Sequence, residues 1–195
     1  PELSSETDWS DAIRLIQAQS KAAIVYHPAQ PINTISRILV AVPRYAEKEH
    51  DFISCFGLVR RLSSQIGAKV IFFTNEDTRK ALQAFCRRKG KYLRAGYREM
   101  ESWEDALMLA KQMQPDDMIV MINARPSTPS YTPLFDQVPT MLDKFFSHHS
   151  YMLVYPEQAT GANIPDILTG DSTQASKTWK IVSTLKRWIL SFQQR

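Results

Sequence analysis

Two apolar runs constrain this chain more than any other feature of its sequence: Ile38-Leu39-Val40-Ala41-Val42, led by Arg37 and closed by Pro43, and Met118-Ile119-Val120-Met121-Ile122, closed by Asn123. A strand with one wet face alternates apolar and polar residues, whereas a strand without alternation is covered on both faces. That pattern belongs to parallel sheets sandwiched between helices. The segments around the runs agree. Phe52, Cys55, Phe56, Val59, Leu62 and Ile66 form a helical stripe between His50 and Ile66, with Gly67 as its stop. Lys69 to Thr74 reads as the next strand. Asn75 is placed to cap a helix that carries Glu76 and Asp77 in its first turn and ends near Gly90. Tyr92 to Tyr97 is a weaker strand. Ser102-x-x-Asp105 opens a helix to about Gln114. A further helix near Leu134 to Ser147 precedes the strand Ser150 to Tyr155, which Pro156 ends. Strands alternating with helices predict an α/β fold: a three-layer, doubly wound, mainly parallel five-stranded sheet.

The first 34 residues do not belong inside that unit. They read as a helix (Asp11 to Ser20), a strand (Ala22 to Tyr26) and then Pro28 and Gln30. The end of the main unit repeats this order, with Tyr151 to Tyr155 followed by Pro156 and Gln158. The organisation expected is therefore an incomplete preceding repeat over 1–34, a complete domain over 35–158 and a tail over 159–195. The orphan strand, Ala22 to Tyr26, is expected antiparallel to Tyr151 to Tyr155 as an extra edge strand. A chain that starts at Pro1 is expected to be cut from a longer protein. In the tail, Ile181, Val182, Leu185, Trp188, Ile189 and Phe192 form the stripe of an amphipathic helix over Gln174 to Phe192. That stripe is expected to dock on the protein's own core rather than on a membrane.

Composition narrows the function classes. No apolar run of the 195-residue chain approaches the ~20 residues of a membrane span, and no signal peptide is expected. The two cysteines, Cys55 and Cys86, stand on helical segments and read as buried small apolar groups in a reducing compartment. The formal charge is +4, and the clusters Arg87-Arg88-Lys89 and Lys186-Arg187 lack interleaved aromatics, so no nucleic-acid partner is expected. His27, His50, His148 and His149 have no metal-ligand spacing, and no metal or cofactor is expected. No nucleophile elbow or phosphate-binding glycine loop is present. Glu47, Glu49, Asp116 and Asp117 read as solvated surface. The chain is expected not to be an enzyme.

Several segments carry a resemblance. They are Arg37 to Pro43 with Ala46 to Glu49, Thr74 to Thr78, Asn123 to Tyr131, Leu134 to Pro139 and Leu153 to Gln158. Over about residues 20 to 158 the chain resembles the universal stress protein (adenine nucleotide alpha hydrolase-like) fold. It resembles more closely the tandem stress-protein-like cytosolic regions that follow the membrane domain of bacterial sodium/proton antiporters. The resemblance implies a non-catalytic regulatory domain at the cytoplasmic face of the inner membrane, beneath a membrane transporter domain of the same polypeptide that exchanges sodium or potassium for protons. It also implies a homodimer built on the free sheet edge. The alternative is a free-standing universal stress protein that binds a nucleotide or acts as an adaptor.

Nucleotide-binding members of that family carry an aspartate after the first strand and a glycine-rich stretch after the fourth. Here Pro43, Arg44 and Tyr45 follow the first strand, and Ala124 to Tyr131 contains no glycine. Without glycine the backbone cannot approach a phosphate closely, so ATP binding in the family's manner is not expected. The resemblance makes the first and fourth strands neighbours, at the point where doubly wound sheets hold ligands. Arg44 and Arg125 would lie there, with Ser127, Ser130 and Tyr131 nearby and Asn75 one strand over. Two guanidiniums and several hydroxyls suit a small anionic or nucleotide ligand. The same residues also read as loop fasteners and turn caps.

Overall fold

The computed structural model describes residues 13, 15–88, 93, 95–102, 105, 109 and 112–158. Six strands form one sheet: β1 (Ala23–His27), β2 (Arg37–Ala41), β3 (Lys69–Thr74), β4 (Ala95–Glu99), β5 (Asp117–Ile122) and β6 (Ser150–Tyr155). Their order across the sheet is β1-β6-β5-β2-β3-β4. β2 through β6 run parallel, and β1 alone runs antiparallel, with Ile24 opposite Val154 and Val25 opposite Leu153. The edge pairing expected for the orphan strand is what forms.

Three helices are described: α1 (Phe52–Ile66), α2 (Glu76–Arg88) and α3 (Val138–Phe146). On one face Ile38, Val40, Met118, Val120, Met152 and Val154 pack under Phe56, Val59 and Leu62 of α1 and Leu82 of α2. On the other, Leu39, Ile119, Met121, Leu153 and Tyr155 pack under Val138, Leu142 and Phe146 of α3. Successive residues of β2 and β5 thus enter opposite cores, and β5 and β6 are buried at every position. This explains why neither β2 nor β5 alternates. Gly67 ends α1 at φ 72°, a left-handed conformation that other residues enter only with strain.

Some boundaries differ from the sequence reading. β1 is shifted by one residue, and β5 starts at Asp117 rather than Met118. The fourth strand is Ala95–Glu99, not Tyr92 to Tyr97. The helix near Leu134 is split, with a 3-10 turn over Pro133–Asp136 preceding α3. The helix expected over residues 11–20 is described as helical at residues 13 and 15–17, and residues 18–20 lie beyond it. Most of the helix of 102–114, the tail of 159–195 and the side chains of Cys86 and the Arg87-Arg88-Lys89 cluster lie outside the described residues. Within the 102–114 stretch the Ser102 N–H donates to Asp105 Oδ2 at 3.1 Å, the returning arm of a capping box.

The four acids read as solvated surface are mostly engaged. Asp117 is fully buried and accepts two bonds from Arg37, at 2.7 and 2.6 Å, and one from the Gln114 N–H at 2.7 Å. Asp116 accepts from the Ser36 hydroxyl, whose bond holds its carboxyl below the usual carboxylate range. Glu47 accepts from Thr78 Oγ1 at 2.6 Å, and Glu49 accepts from both the N–H and hydroxyl of Ser130. Each side-chain partner lies more than 30 positions away in the chain, beyond the reach of a local reading.

Candidate functional site

β2 is the switch point of the winding, because the chain moves from it to β3 and β4 on one side and to β5 and β6 on the other. At such a point the loops leaving the carboxyl ends diverge and open a crevice. Here the loops after β2, β4 and β5 enclose a cleft of about 290 Å³. Pro43, Arg44 and Tyr45 form one wall, and Met100, Glu101 and Ser102 form another. Pro129, Ser130, Tyr131, Thr132 and Leu134 close it.

The wall after β2 is strained. Tyr45 has φ 63° and ψ 12°, a left-handed conformation that costs a side-chain-bearing residue about 1–2 kcal/mol. It persists because Tyr45 starts a 3-10 turn, its carbonyl accepting the Lys48 N–H at 2.9 Å, and because Glu47 and Glu49 fasten that turn to α2 and to Ser130. The ring is left 39% exposed, with the Arg44 guanidinium 5.4 Å and the Lys48 ammonium 4.3 Å from its centre. Both cations are within cation–π range.

Of the six residues proposed from sequence, the structure brings three to the cleft: Arg44, Ser130 and Tyr131. The Ser130 hydroxyl is committed to Glu49, and the Tyr131 hydroxyl donates to Asp136 Oδ2 at 2.9 Å, so Arg44 is the one with its charge unpaired among the described residues. Ser127 is exposed at φ 70° and does not line the cleft. Asn75 is buried at the carboxyl end of β3 and does not cap α2 with its side chain: its Oδ1, like the neighbouring Thr74 Oγ1, has no hydrogen-bond partner among the described residues. The local capping preference is not followed by this buried side chain.

Arg125 performs the fastening role. It is 2% exposed, and its Nε donates to Ile16 O at 3.0 Å, Nη2 to Lys21 O at 2.5 Å and Nη1 to Pro156 O. Its guanidinium carbon stands 5.7 Å from the centre of the Tyr155 ring. Burial pulls its pKa down from the ordinary guanidinium value, and no carboxylate pairs with it among the described residues. Carbonyl dipoles and a ring face hold the charge, and in doing so tie the segment before β1 to the end of β6.

Tyr45, Met100, Glu101, Ser102, Thr132 and Leu134 were missed. The capping box that starts at Ser102 marks a helix start and not a ligand site, and the place of β4 beside β3 brings its loop to the crevice. No protein-family model matches the chain, and no curated protein matches its sequence.

Proposed function

We propose that this chain is a universal-stress-protein-like regulatory domain, non-catalytic, that serves on the cytoplasmic side of a membrane cation/proton antiporter and takes a small ligand in the carboxyl-edge cleft. The observation that carries the reading is β1, an antiparallel strand attached to an otherwise parallel five-stranded unit. It has the character of the closing strand of a neighbouring repeat, as the tandem antiporter regions resembled by this sequence would supply. Among the described residues β1 is the edge of the sheet, and that edge would offer a second copy a place to extend it, which supports a homodimer. A ligand that prefers one arrangement of the loops would shift the transporter's conformational equilibrium by its difference in affinity for the two states.

The reading frame upstream of Pro1 is expected to encode about a dozen apolar stretches of ~20 residues; a frame without them favours the free-standing stress protein. Ligand binding is tested by thermal shift against nucleotides and cyclic dinucleotides, since a compound that binds only the folded chain raises its Tm. The shift should vanish in Arg44→Ala. Saturable binding of ATP that survives Arg44→Ala would contradict the site.

A further inference from the structure

We propose that the ligand of the carboxyl-edge cleft is a small zwitterion of the α-amino acid class, its carboxylate held by Arg44 and its ammonium by Glu101. The inference rests on the reading of the cleft as a ligand site. Arg44 and Glu101 line the same cleft from opposite loops, one after β2 and the other after β4. Both are exposed, and neither forms an ion pair among the described residues, with each other or with anything else. Other acids at this edge differ. Glu47, Glu49 and Asp136 accept hydrogen bonds from Thr78, Ser130 and Tyr131 respectively, so they are occupied as fasteners. Arg44 and Glu101 are the charged residues that line the cleft, and the fold pairs neither of them among the described residues.

The chemistry of the walls selects among ligands. A purely anionic ligand would gain Arg44 and meet the Glu101 carboxylate. A purely cationic one would gain Glu101 and meet Arg44, with Lys48 close behind across the Tyr45 ring. A molecule carrying both charges at its two ends gains at each wall, and the mismatch it avoids is a source of specificity in its own right. Between the charged walls lie Pro43, Met100, Pro129 and Leu134, an apolar lining for a short side chain. The volume, about 290 Å³, is at the small end of ligand sites, ~300–1,000 Å³. A metabolite of few heavy atoms fills it better than a nucleotide does, and the glycine-free loop 124–131 offers no phosphate cradle.

The test is isothermal titration and thermal shift with glycine, L-alanine, L-valine and L-leucine. N-acetyl-L-leucine lacks the ammonium and L-leucinamide lacks the carboxylate, and both are run beside acetate, phosphate and ATP. At least one free amino acid is expected to raise the Tm and to bind roughly tenfold or more tighter than either single-charge derivative, as the loss of one charge-assisted contact requires. Arg44→Ala and Glu101→Gln, both at exposed positions, should each weaken that binding by a similar factor while circular dichroism and Tm without ligand stay unchanged. Equal binding of leucine and its N-acetyl derivative would overturn the zwitterion. Binding of acetate, phosphate or ATP alone, lost in Arg44→Ala and kept in Glu101→Gln, would overturn it too, while leaving the cleft as an anion site. No response to any compound would overturn both.

Discussion

The two ends of the sheet hold their charged groups differently. At the amino end, Arg37 and Asp117 face each other across paired strands, and Ser36 bonds Asp116 beside them. These charges are paired across neighbouring strands, although Gln30 Nε2 and His149 Nδ1 near the same end are buried without a partner among the described residues. At the carboxyl end, Asn75 Oδ1 and Thr74 Oγ1 are buried without partners, Tyr45 and Ser127 hold left-handed backbone, and Arg44 and Glu101 carry unpaired charge into a cleft. A buried unsatisfied polar group costs about 1–3 kcal/mol. Such costs occur at both ends. What differs is charge, paired in Arg37 and Asp117 at the first and left to Arg44 and Glu101 in the cleft at the second, so stability is expected from the one and binding from the other.

Mutations at the two ends should separate these roles. The largest effect is expected from Arg37→Met. It strands a fully buried carboxylate at Asp117, which should cost about 3–5 kcal/mol and lower the Tm by roughly 10 °C in a thermal melt. A change within 1 °C would mean that the amino end does not carry the stability assigned to it. Next comes Ser130→Ala at the carboxyl end, which removes one of two bonds to Glu49 and should cost about 1.5 kcal/mol in a urea titration. A loss as large as that of Arg37→Met would erase the contrast.

The smallest effect has the opposite sign. Burial raises the pKa of Asp51 above its ordinary value, although bonds from Ser54 and the Glu157 N–H pull it down. The folded state therefore holds the Asp51 proton more tightly than the unfolded state does. That contribution to stability is fully present below the unfolded pKa and is lost as pH rises through the folded one. Asp51→Asn keeps an acceptor for the Glu157 N–H and removes the charge. Its Tm should exceed that of the parent at pH 7 and converge with it as pH falls below the carboxylate range. A variant less stable than the parent at pH 7 would show that Asp51 belongs with the satisfied groups.

The strands covered on both faces were legible because an apolar run such as Met118 to Ile122 admits no half-exposed alternative. β1 was legible because its Val-Tyr ending and following proline repeat those of β6. β4 was placed too early, since its burial alternates and Gly96 and Arg98 dilute the strand signal. The site was only partly readable. Arg44 and Tyr131 follow from loop position alone. The pairing of Glu49 with Ser130 spans 81 positions and that of Arg37 with Asp117 spans 80, and no local pattern encodes either. The fastening role of Arg125 was among the readings of the sequence, but its partners were not, because they are main-chain carbonyls, which every residue possesses.

The direction of β1 has a mechanical consequence. The Gln158 N–H donates to Ser20 O at 2.8 Å, so the chain entering β1 and the chain leaving β6 lie side by side at one end of the ladder. Tension between those two points would open the pair like a zipper, rupturing its rungs in sequence from Ala23–Tyr155 toward His27–Tyr151 rather than loading them together. The Arg125 guanidinium and the Gln158–Ser20 bond both sit at that mouth, so both are loaded first. A pull on whatever is joined to this strand would be felt there, at low force, before the parallel core responds.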